Sequence, residues 1–518
     1  MKNLHMEKHT YRVTSLSPFH IQGGDGSGDY GMGYFRRSDS DDYIYLVDTV
    51  KLQRYIYEHH GGLKGVEKFA NLLTQAVENK QNIGIKTFLD QIGFDYNNTL
   101  KISKGKVYAR TKRGKRDQFF IRNGMDQPYL PGSSIKGVLR TAVLWKILKS
   151  VQDANPEEFK KVIGNYIEDN IQDIKGTFKK YSARKKKENF TKNIVENVFQ
   201  SYSLIDDPHQ PKRKVKSLSP FTDLFRCIKV KDSVPIAETD QLTKDSIRIL
   251  SFNRDNLPYF KTQLQVETCF LLHNRTPVLF DLILDQHLLQ RFINSSQISP
   301  LMNYSGIPFT NLDDLMNIVA EFSNAIWSFL VDFYQPYKTS ALATFVDNQR
   351  VGEVTKFISD RGFGFIRCQE NPKLFFHINS VNYKFKNSID IGDKVRFDIG
   401  VGRKKKPEAK NVIVDNSIQI AAIGLNINNL INFYEDQRNN APLKMKLGWG
   451  TGLLGTSLAL LLQEDEFLHN LLVELRDDII SVDKKKHGNH VPKSARVTCN
   501  QNGEPEYPLG WIRLEKIR

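Results

Sequence analysis

The feature that most constrains the fold is a run of short alternating segments between residues 351 and 414. The segments GEVTKFISDRGFGFI, LFFHI, GDKVRFDIG and KNVIV alternate apolar and polar residues, with Asp, Gly, Asn and Pro between them. A period of two, interrupted by turn residues, is typical of β-strands. Five short strands in this span predict a small β-barrel inside a much longer chain.

Aromatic residues of this predicted barrel share one face. Phe363 and Phe365 lie two apart in RGFGFI, and Phe375 and His377 lie two apart in LFFHI. Side chains two apart project from the same face of a strand. Rings on such a barrel stack on the bases of single-stranded nucleic acid, and nearby cations follow the phosphates. Alternating aromatics can also fill a barrel core, but two such motifs in order favour a binding face.

RGFGFI and LFFHI resemble the two ribonucleoprotein motifs of the cold-shock domain family, K-G-[FY]-G-F-I and V-F-V-H-[FY], over about residues 352 to 414. The resemblance implies an OB-type barrel that binds RNA through Phe357, Arg361, Phe363, Phe365, Phe375 and His377. Lys356 stands where the family usually has Trp, and Ile378 where it is usually aromatic. Each stacking ring contributes about 1–3 kcal/mol to binding of a single strand, so the lack of these two rings should lower the affinity of the barrel. The barrel is therefore expected to play a secondary part in RNA binding.

The stretch YLPGSSIKGVLRTAV, residues 129–143, predicts a turn followed by a helix that Ser133 or Ser134 caps. Its apolar residues recur at helical spacing. Lys136 and Arg140 lie four apart near a helix N-terminus, where the dipole and free N–H groups favour a phosphate. An ordinary capped helix with a solvated basic stripe is the alternative from spacing alone. Another helix is predicted to begin near Thr49.

PGSSIKG-x-LR resembles the signature of the RAMP superfamily of CRISPR effector subunits. Four further segments agree in order: SPFHIQGGD (17–25), FRCIKVKDS (225–233), GWGTGLLGTS (448–457) and PLGWIRL (508–514). With VPKSAR and EYPLGW near the end, they most resemble the Csm-type subunits that cap the crRNA 3′ end of type III-A complexes. The resemblance implies RNA contacts at His20, Gly132, Ser133, Ser134, Lys136, Arg140, Gly450 and Gly452.

The fold class implied by both resemblances is α+β. It comprises two ferredoxin-like, RRM-related RAMP domains and an inserted five-stranded OB or cold-shock barrel. The predicted boundaries are 1–223 for the first RAMP domain, 224–349 and 416–518 for the two parts of the second, and 350–415 for the barrel.

The charge balance favours a polyanionic partner. The chain carries 74 Lys and Arg against 58 Asp and Glu, a formal net charge of +16. No leader-like or membrane-spanning run is evident, so a cytoplasmic protein without membrane partners is predicted. The resemblance implies crRNA, single-stranded target RNA, adjacent RAMP backbone subunits and host trimming nucleases as partners in antiviral defence. Basic segments at 107–119, 179–193 and 403–410 are either phosphate tracks or solvated loops.

Residues for catalysis or metal binding are sparse. His20 is the candidate for proton transfer, but the resemblance implies a non-catalytic subunit, so no enzymatic activity is expected. Asp25 and Asp29 could hold Mg²⁺ or only solubilise a loop. His487, His490 and Cys499 lack a fourth zinc ligand, and the four cysteines stand singly, so no metal or cofactor is predicted.

Three functions remain open from the sequence. The first is a non-catalytic crRNA-binding subunit of a type III-A effector complex that aids maturation or protection of the crRNA 3′ end. The second is a RAMP endoribonuclease that processes crRNA with His20 as general acid or base. The third is an RNA chaperone that acts through the cold-shock module.

Overall fold

A computed structural model describes residues 6–518 of the chain except 24–33, 39–40, 42, 79–84, 110–116, 126, 178–191, 205–219, 238–240, 253–257, 298–305, 339–344, 347–348, 369–370, 372, 403–405, 419–424, 438–440, 457, 481–490, 493 and 501–502. Among the helices in this part of the chain, none is long and apolar enough to cross a lipid bilayer.

The strands within the described residues are, in chain order, β1 (Met6–Ser15), β2 (Tyr34–Phe35), β3 (Tyr43–Val47), β4 (Ser103–Ala109), β5 (Asp117–Gln118), β6 (Tyr202–Ser203), β7 (Ile228–Val230), β8 (Leu242–Phe252), β9 (Pro258–Cys269), β10 (Val278–Asp285), β11 (Ser296–Gln297), β12 (Phe345–Val346), β13 (Gln349–Ile358), β14 (Phe363–Cys368), β15 (Leu374–His377), β16 (Lys394–Val401), β17 (Pro407–Val414), β18 (Lys444–Lys446), β19 (Ser494–Cys499), β20 (Pro505–Pro508) and β21 (Trp511–Lys516).

The α-helices in the same residues are α1 (Thr49–His59), α2 (Leu63–Glu78), α3 (Ile85–Gln91), α4 (Thr99–Ile102), α5 (Gly132–Ala154), α6 (Pro156–Thr177), α7 (Lys192–Phe199), α8 (Gln286–Ile293), α9 (Leu312–Tyr334), α10 (Asn428–Asp436) and α11 (Glu466–Ile480). Several begin at a side-chain cap. The Asp48 carboxylate accepts from the N–H groups of Val50 and Lys51, so the predicted start of a helix near Thr49 is confirmed.

The first large sheet has the N-terminal strand at its centre. Its antiparallel strands lie in the order β18–β21–β1–β10–β7. β1 pairs with β10 from Met6 opposite Asp285 to Val13 opposite Val278. Alternate side chains of β1 are buried because one face of this sheet packs against α9.

The second large sheet joins strands from distant parts of the chain. Its main order is β2–β3–β4–β8–β19–β20, and β9 pairs with both β8 and β5. Helices α1 to α4 follow β3 and precede β4 along the chain. They surround a separate hydrophobic core that includes Phe35, Leu52, Ile56 and Phe88. Strands from both sides of residue 223 therefore share the two large sheets, and the domain boundaries drawn from the sequence stay predictions.

The segment from β13 to β17 is a closed barrel. Its strands lie in the order β13–β14–β15–β17–β16, and β13 also pairs with β16 to close the ring. Val354, Ile366, Phe376 and Phe397 are fully buried in its core. The α+β class and the inserted five-stranded barrel predicted from the sequence are thus confirmed.

Candidate nucleic-acid interfaces

The barrel carries a cluster of partly exposed aromatic rings on one face. Phe363 pairs with His377 and Phe365 pairs with Phe375 across β14 and β15, so all four side chains share a face. The centroids of Phe363 and Phe375 lie 5.7 Å apart, and those of Phe365 and Phe375 lie 6.1 Å apart. We call these four residues the aromatic face. The structure thus brings together the four residues that the two sequence motifs predicted.

Two cations border the aromatic face. Lys356 lies opposite Phe365 on β13, so its exposed side chain projects from the same side. Arg361 is exposed in the turn between β13 and β14, just before Gly362, which adopts the left-handed φ of 60°. Neither cation forms an ion pair within the described residues, so both are available to phosphates.

Phe357 does not belong to the aromatic face, which corrects the sequence prediction. It pairs with Gly364, on the opposite side of the strand from Phe363 and Phe365. Its ring stacks on the buried Phe376, with centroids 6.0 Å apart and planes 8° apart. A β-bulge between Val354 and Lys356 shifts the alternation by one residue and turns Phe357 toward the core.

The N-terminus of α5 already holds an anionic group. The helix begins at Gly132 and its N-cap is Pro131, two or three residues earlier than expected, so neither Ser133 nor Ser134 is its cap. The Gly132 N–H donates to the Asp232 carboxylate at 2.7 Å. A Cβ at Gly132 would lie 2.3 Å from the Val230 carbonyl oxygen, so only glycine fits there. Ser133 is exposed and Ser134 is half-buried.

The basic stripe of α5 is bound to the protein itself, and its assignment as a phosphate site stays a prediction. Arg140 donates through both terminal nitrogens to Asp223, at 2.9 and 2.7 Å, and lies 4.4 Å from the Phe199 ring centroid. Lys136 Nζ donates to the Ile228 carbonyl at 2.7 Å, and burial lowers the pKa of Lys136. Both cations join α5 to the segment around β7.

His20 is buried, at 0 % exposure, which is incompatible with direct contact between its side chain and RNA. Its Nδ1–H donates to the Glu267 carbonyl at 2.7 Å, and its Nε2 has no hydrogen-bond partner within the described part of the chain. Burial lowers the pKa of His20 to about 4. The imidazole is therefore neutral at pH 7.

The glycine-rich loop at residues 448–452 packs on His20. The Trp449 N–H donates to the His20 carbonyl at 2.9 Å, and the two rings meet edge to face at 4.7 Å. The Arg496 guanidinium lies over the Trp449 ring, at 5.1 Å from its centroid. A Cβ at Gly450 would lie 1.9 Å from the Leu509 oxygen, whereas Gly452 is exposed. Of the two predicted loop glycines, Gly450 is therefore a packing position and Gly452 faces solvent.

Three of the segments singled out from the sequence meet at this loop. Ser17 accepts a hydrogen bond from the Trp511 N–H at 3.0 Å, and Gly510 donates to the Pro18 carbonyl at 2.8 Å. The segments around SPFH, GWG and PLGW are thus adjacent, although SPFH comes more than 400 residues before the other two. The Trp449–Arg496 stack was not predicted, since nothing local in the sequence links these two positions.

Some predicted positions lie outside the described residues: Asp25, Asp29, His487, His490, residues 179–191 and 403–405, and most of 107–116. Within the described residues, no group of three His, Cys, Asp or Glu side chains could hold a metal ion. The four cysteines, all within the described residues, form no disulfide, and burial raises the pKa of Cys227 to about 12.

Comparisons with known proteins agree with this architecture. Family models described as the RAMP superfamily and the "cold-shock" DNA-binding domain match residues 12–271 and 350–414. Cold shock-like protein CspE of Bacillus anthracis is 36% identical over 62 residues, which cover 12% of this chain and 91% of that protein.

Two solved structures are similar to nearly the whole chain, and the first of them shares its fold. One is the cryo-EM structure of a Csm–crRNA–target RNA ternary complex in a type III-A CRISPR-Cas system, with a TM-score of 0.50 and 17% identity over 98% of this chain and 100% of that chain. The other is the crystal structure of T. onnurineus Csm5, with a TM-score of 0.44 and 15% identity over the same shares. The chain belongs to the RAMP superfamily and carries a cold-shock domain at residues 350–414.

Proposed function

We propose that this chain is a non-catalytic RNA-binding subunit of a type III-A CRISPR effector complex, placed at the 3′ end of the crRNA. Membership of the RAMP superfamily and the fold shared with a chain of a Csm complex support this role. So does the formal net charge of +16, which favours a polyanionic partner. The partners in this proposal are crRNA, target RNA and neighbouring RAMP subunits, with host nucleases trimming the 3′ end.

The observation that carries RNA binding is the aromatic face with the two exposed cations beside it, neither of which forms an ion pair within the described residues. In the proposal the rings that reach solvent stack on unpaired bases, and the exposed Lys356 and Arg361 beside them contact the phosphates. Rings so spaced suit a flexible single strand better than a duplex, whose bases are already stacked. In the proposal the barrel holds a single-stranded part of the guide or the target.

The burial of His20 supports a non-catalytic role. A general acid or base must reach the proton that it transfers, and His20 is enclosed by Trp449, Phe120 and the Glu267 backbone. The pKa of about 4 leaves it without a proton to donate from Nε2 at pH 7. We therefore assign His20 to holding the glycine-rich loop.

The test compares crRNA lengths in effector complexes purified with and without this chain. The proposal expects complexes that lack it to carry crRNAs with altered 3′ ends and unchanged 5′ ends. A matched variant in which a short linker replaces residues 350–415 shows whether an effect on the crRNA comes from the barrel or from the rest of the chain, which we call the body. Identical crRNA lengths in all three preparations would contradict the role at the 3′ end.

An RNA chaperone that acts through the cold-shock domain is the second candidate, and the 36% identity to CspE favours it. It expects the barrel to supply most of the affinity for single-stranded RNA, with Phe363→Ala lowering that affinity by about 1–3 kcal/mol. Unchanged binding after replacement of residues 350–415 by the linker would rule this candidate out.

A further inference from the structure

The first large sheet has a second face, opposite its buried one, on which charged side chains reach solvent. On β1, Tyr11 and Val13 are buried in the core, so the residues between them point to the other side of the sheet. The strand registers carry this side across all five strands, and we call it the open face. Its charged residues are Lys8, Arg12, Lys229, Lys231, Asp281, Asp285, Lys446, Arg513 and Glu515.

A diagonal row of charged residues crosses the open face. Arg513 on β21 pairs with Thr14, and Arg12 lies two residues before Thr14 on β1. The same step, one strand across and two residues along, connects all the members of the row. With about 4.8 Å between strands and 3.4 Å per residue, successive members are about 8 Å apart. The row consists of Lys446, Arg513, Arg12, Asp281 and Lys229.

The one carboxylate in this row is neutralised by two lysines. Asp281 accepts from Lys8 Nζ at 2.9 Å and from Lys231 Nζ at 3.2 Å, and the hydrogen bond from Lys8 holds the pKa of Asp281 below its usual range. These lysine side chains are 51% and 60% exposed. Arg12 and Arg513, by contrast, form no ion pair within the described residues. The row as a whole is therefore positively charged.

Lys446, at one end of the row, is a partly buried cation. Its Nζ lies 5.5 Å from the Trp511 ring centroid, and it forms no ion pair in the part of the chain that the structure describes. Burial lowers the pKa of Lys446 to about 8. A nearby anion favours the charged form of a lysine, so a phosphate at this end of the row would offset the cost of burying the ammonium.

The pattern of charges fits an RNA backbone better than a protein surface. The centres of protein interfaces are depleted of charged residues, whereas charges extend across the whole width of the open face, and its apolar residues Leu279 and Ile283 are half-buried. Cations in a row can follow the phosphates of a strand, which carry no sequence information. We propose that the open face binds the phosphate backbone of an RNA strand independently of its sequence. This second RNA-binding surface, besides the barrel, rests on the proposed function.

The test measures binding of a fluorescently labelled single-stranded RNA of about 20 nucleotides by the full chain at several salt concentrations. All the proteins compared carry Phe363→Ala and Phe375→Ala, so that the aromatic face no longer contributes. On this background, Arg12→Gln with Arg513→Gln removes two cations of the row. We expect the affinity to fall about fivefold or more, and the slope of log affinity against log salt concentration to fall by about 1.4, since each phosphate contact contributes about 0.7.

Two further double variants on the same background are controls for net charge and for folding. Lys64→Gln with Lys161→Gln removes the same charge from exposed positions on α2 and α6 and should change neither the affinity nor the slope. Arg12→Lys with Arg513→Lys keeps the charge of the row and should keep the slope. Circular dichroism confirms that each variant is folded. The loss in the glutamine variant should also be equal for oligo(A) and oligo(U).

The outcomes separate this inference from the proposed function. The inference is overturned by unchanged binding in the Arg12→Gln, Arg513→Gln variant, by an equal loss in the Lys64→Gln, Lys161→Gln variant, or by a loss that differs between oligo(A) and oligo(U). No measurable binding on the common background overturns it as well. Each of these results leaves RNA binding by the barrel intact. If the unsubstituted chain binds no single-stranded RNA, the proposed function fails and the inference fails with it.

Discussion

Arg140 shows how a cation near a helix start can serve the fold. Its guanidinium forms a two-pronged ion pair with Asp223 and lies over the rings of Phe199 and Phe225. The pair is largely buried, with side-chain exposures of 26% for Arg140 and 13% for Asp223. Breaking such a pair leaves a charge poorly solvated, so its loss costs more than that of a surface pair.

Arg140→Ala should lower the free energy of unfolding by about 2 kcal/mol, because it leaves the Asp223 carboxylate without its guanidinium partner and uncovers the two rings. Chemical denaturation followed by fluorescence measures this loss. Lys146→Ala, which removes an exposed ion pair with Glu321, is the control and should cost less than about 1 kcal/mol. Unchanged stability with lost RNA affinity in Arg140→Ala would instead identify a phosphate ligand.

His20 should make stability depend on pH. Its folded pKa of about 4 lies below the ordinary value of 6.5, so the unfolded chain binds the proton more tightly. The stabilisation from the neutral ring is complete above pH 6.5 and is lost as the pH falls through 4, an effect of about 3 kcal/mol. His20→Phe should therefore lose less stability than the wild type between pH 7 and pH 4.5.

The measurement is the free energy of unfolding of both proteins at the two pH values. His273→Asn, at an exposed position, is the control and should keep the wild-type dependence. The same loss of stability in His20→Phe and the wild type would show that His20 is protonated in the folded protein.

Single residues of the site were predictable only where local spacing decides them. Phe363, Phe365, Phe375 and His377 follow from a period of two in adjacent strands. Phe357 does not, because a bulge two residues earlier reverses the alternation. The partners of Lys136 and Arg140 lie more than 80 residues away along the chain, so no spacing rule could show that these cations were already engaged.

At the scale of elements, the glycine-rich loop depends on close approach of backbones. Gly448 has a φ of 63°, and a Cβ there would lie 2.1 Å from the His20 oxygen. Gly450 is equally close to Leu509. These contacts let the loop lie flat on two other segments while Gly452 stays exposed. The path of the loop therefore depends on having glycine at these two positions.

Gly450→Ala should destabilise the protein, because its Cβ would overlap the Leu509 carbonyl and one backbone must move. The midpoint of chemical denaturation should fall by an amount that corresponds to about 1–3 kcal/mol. Gly137→Ala is the matched control: it lies exposed in α5 with open space around its Cβ and should stabilise the helix by about 0.5–1 kcal/mol. A Gly450→Ala protein as stable as the wild type would contradict this packing.

Elements were predictable where their signal is local. The apolar face of α5 is buried as its helical spacing predicted, with Ile135, Leu139 and Val143 fully enclosed. The start of that helix was missed, because its first N–H is capped by Asp232, which comes from a segment 100 residues downstream. The order of the strands could not be predicted from the alternation of apolar and polar residues either, since β1 pairs with strands near residues 280 and 515.

At the scale of the whole molecule, the barrel is a self-contained insertion. Gly352, near its start, and Val414, at its end, both pair with Val395, so the chain enters and leaves on either side of one strand. On the body, Lys338 and Glu435, on the two sides of the insertion, form an ion pair at 2.8 Å. A short linker should therefore replace residues 350–415 without unfolding the body.

Removal of the barrel should weaken binding of single-stranded RNA and lessen its dependence on salt. The barrel contributes Lys356 and Arg361, and each lost phosphate contact reduces the slope of log affinity against log salt concentration by about 0.7. Titrations at several salt concentrations, with circular dichroism to confirm that the body is folded, measure both effects. An unchanged slope would mean that the barrel makes no phosphate contact.

The most direct test of the central claim is the sequence of the RNA that co-purifies with this chain from cells that express it naturally. The account predicts crRNAs with uniform repeat-derived 5′ ends and 3′ ends of stepped length. It also predicts that the Phe363→Ala, Phe375→Ala double variant loses the part of its RNA contact that the barrel provides. Recovery of unrelated cellular RNAs, or of no RNA, would contradict it.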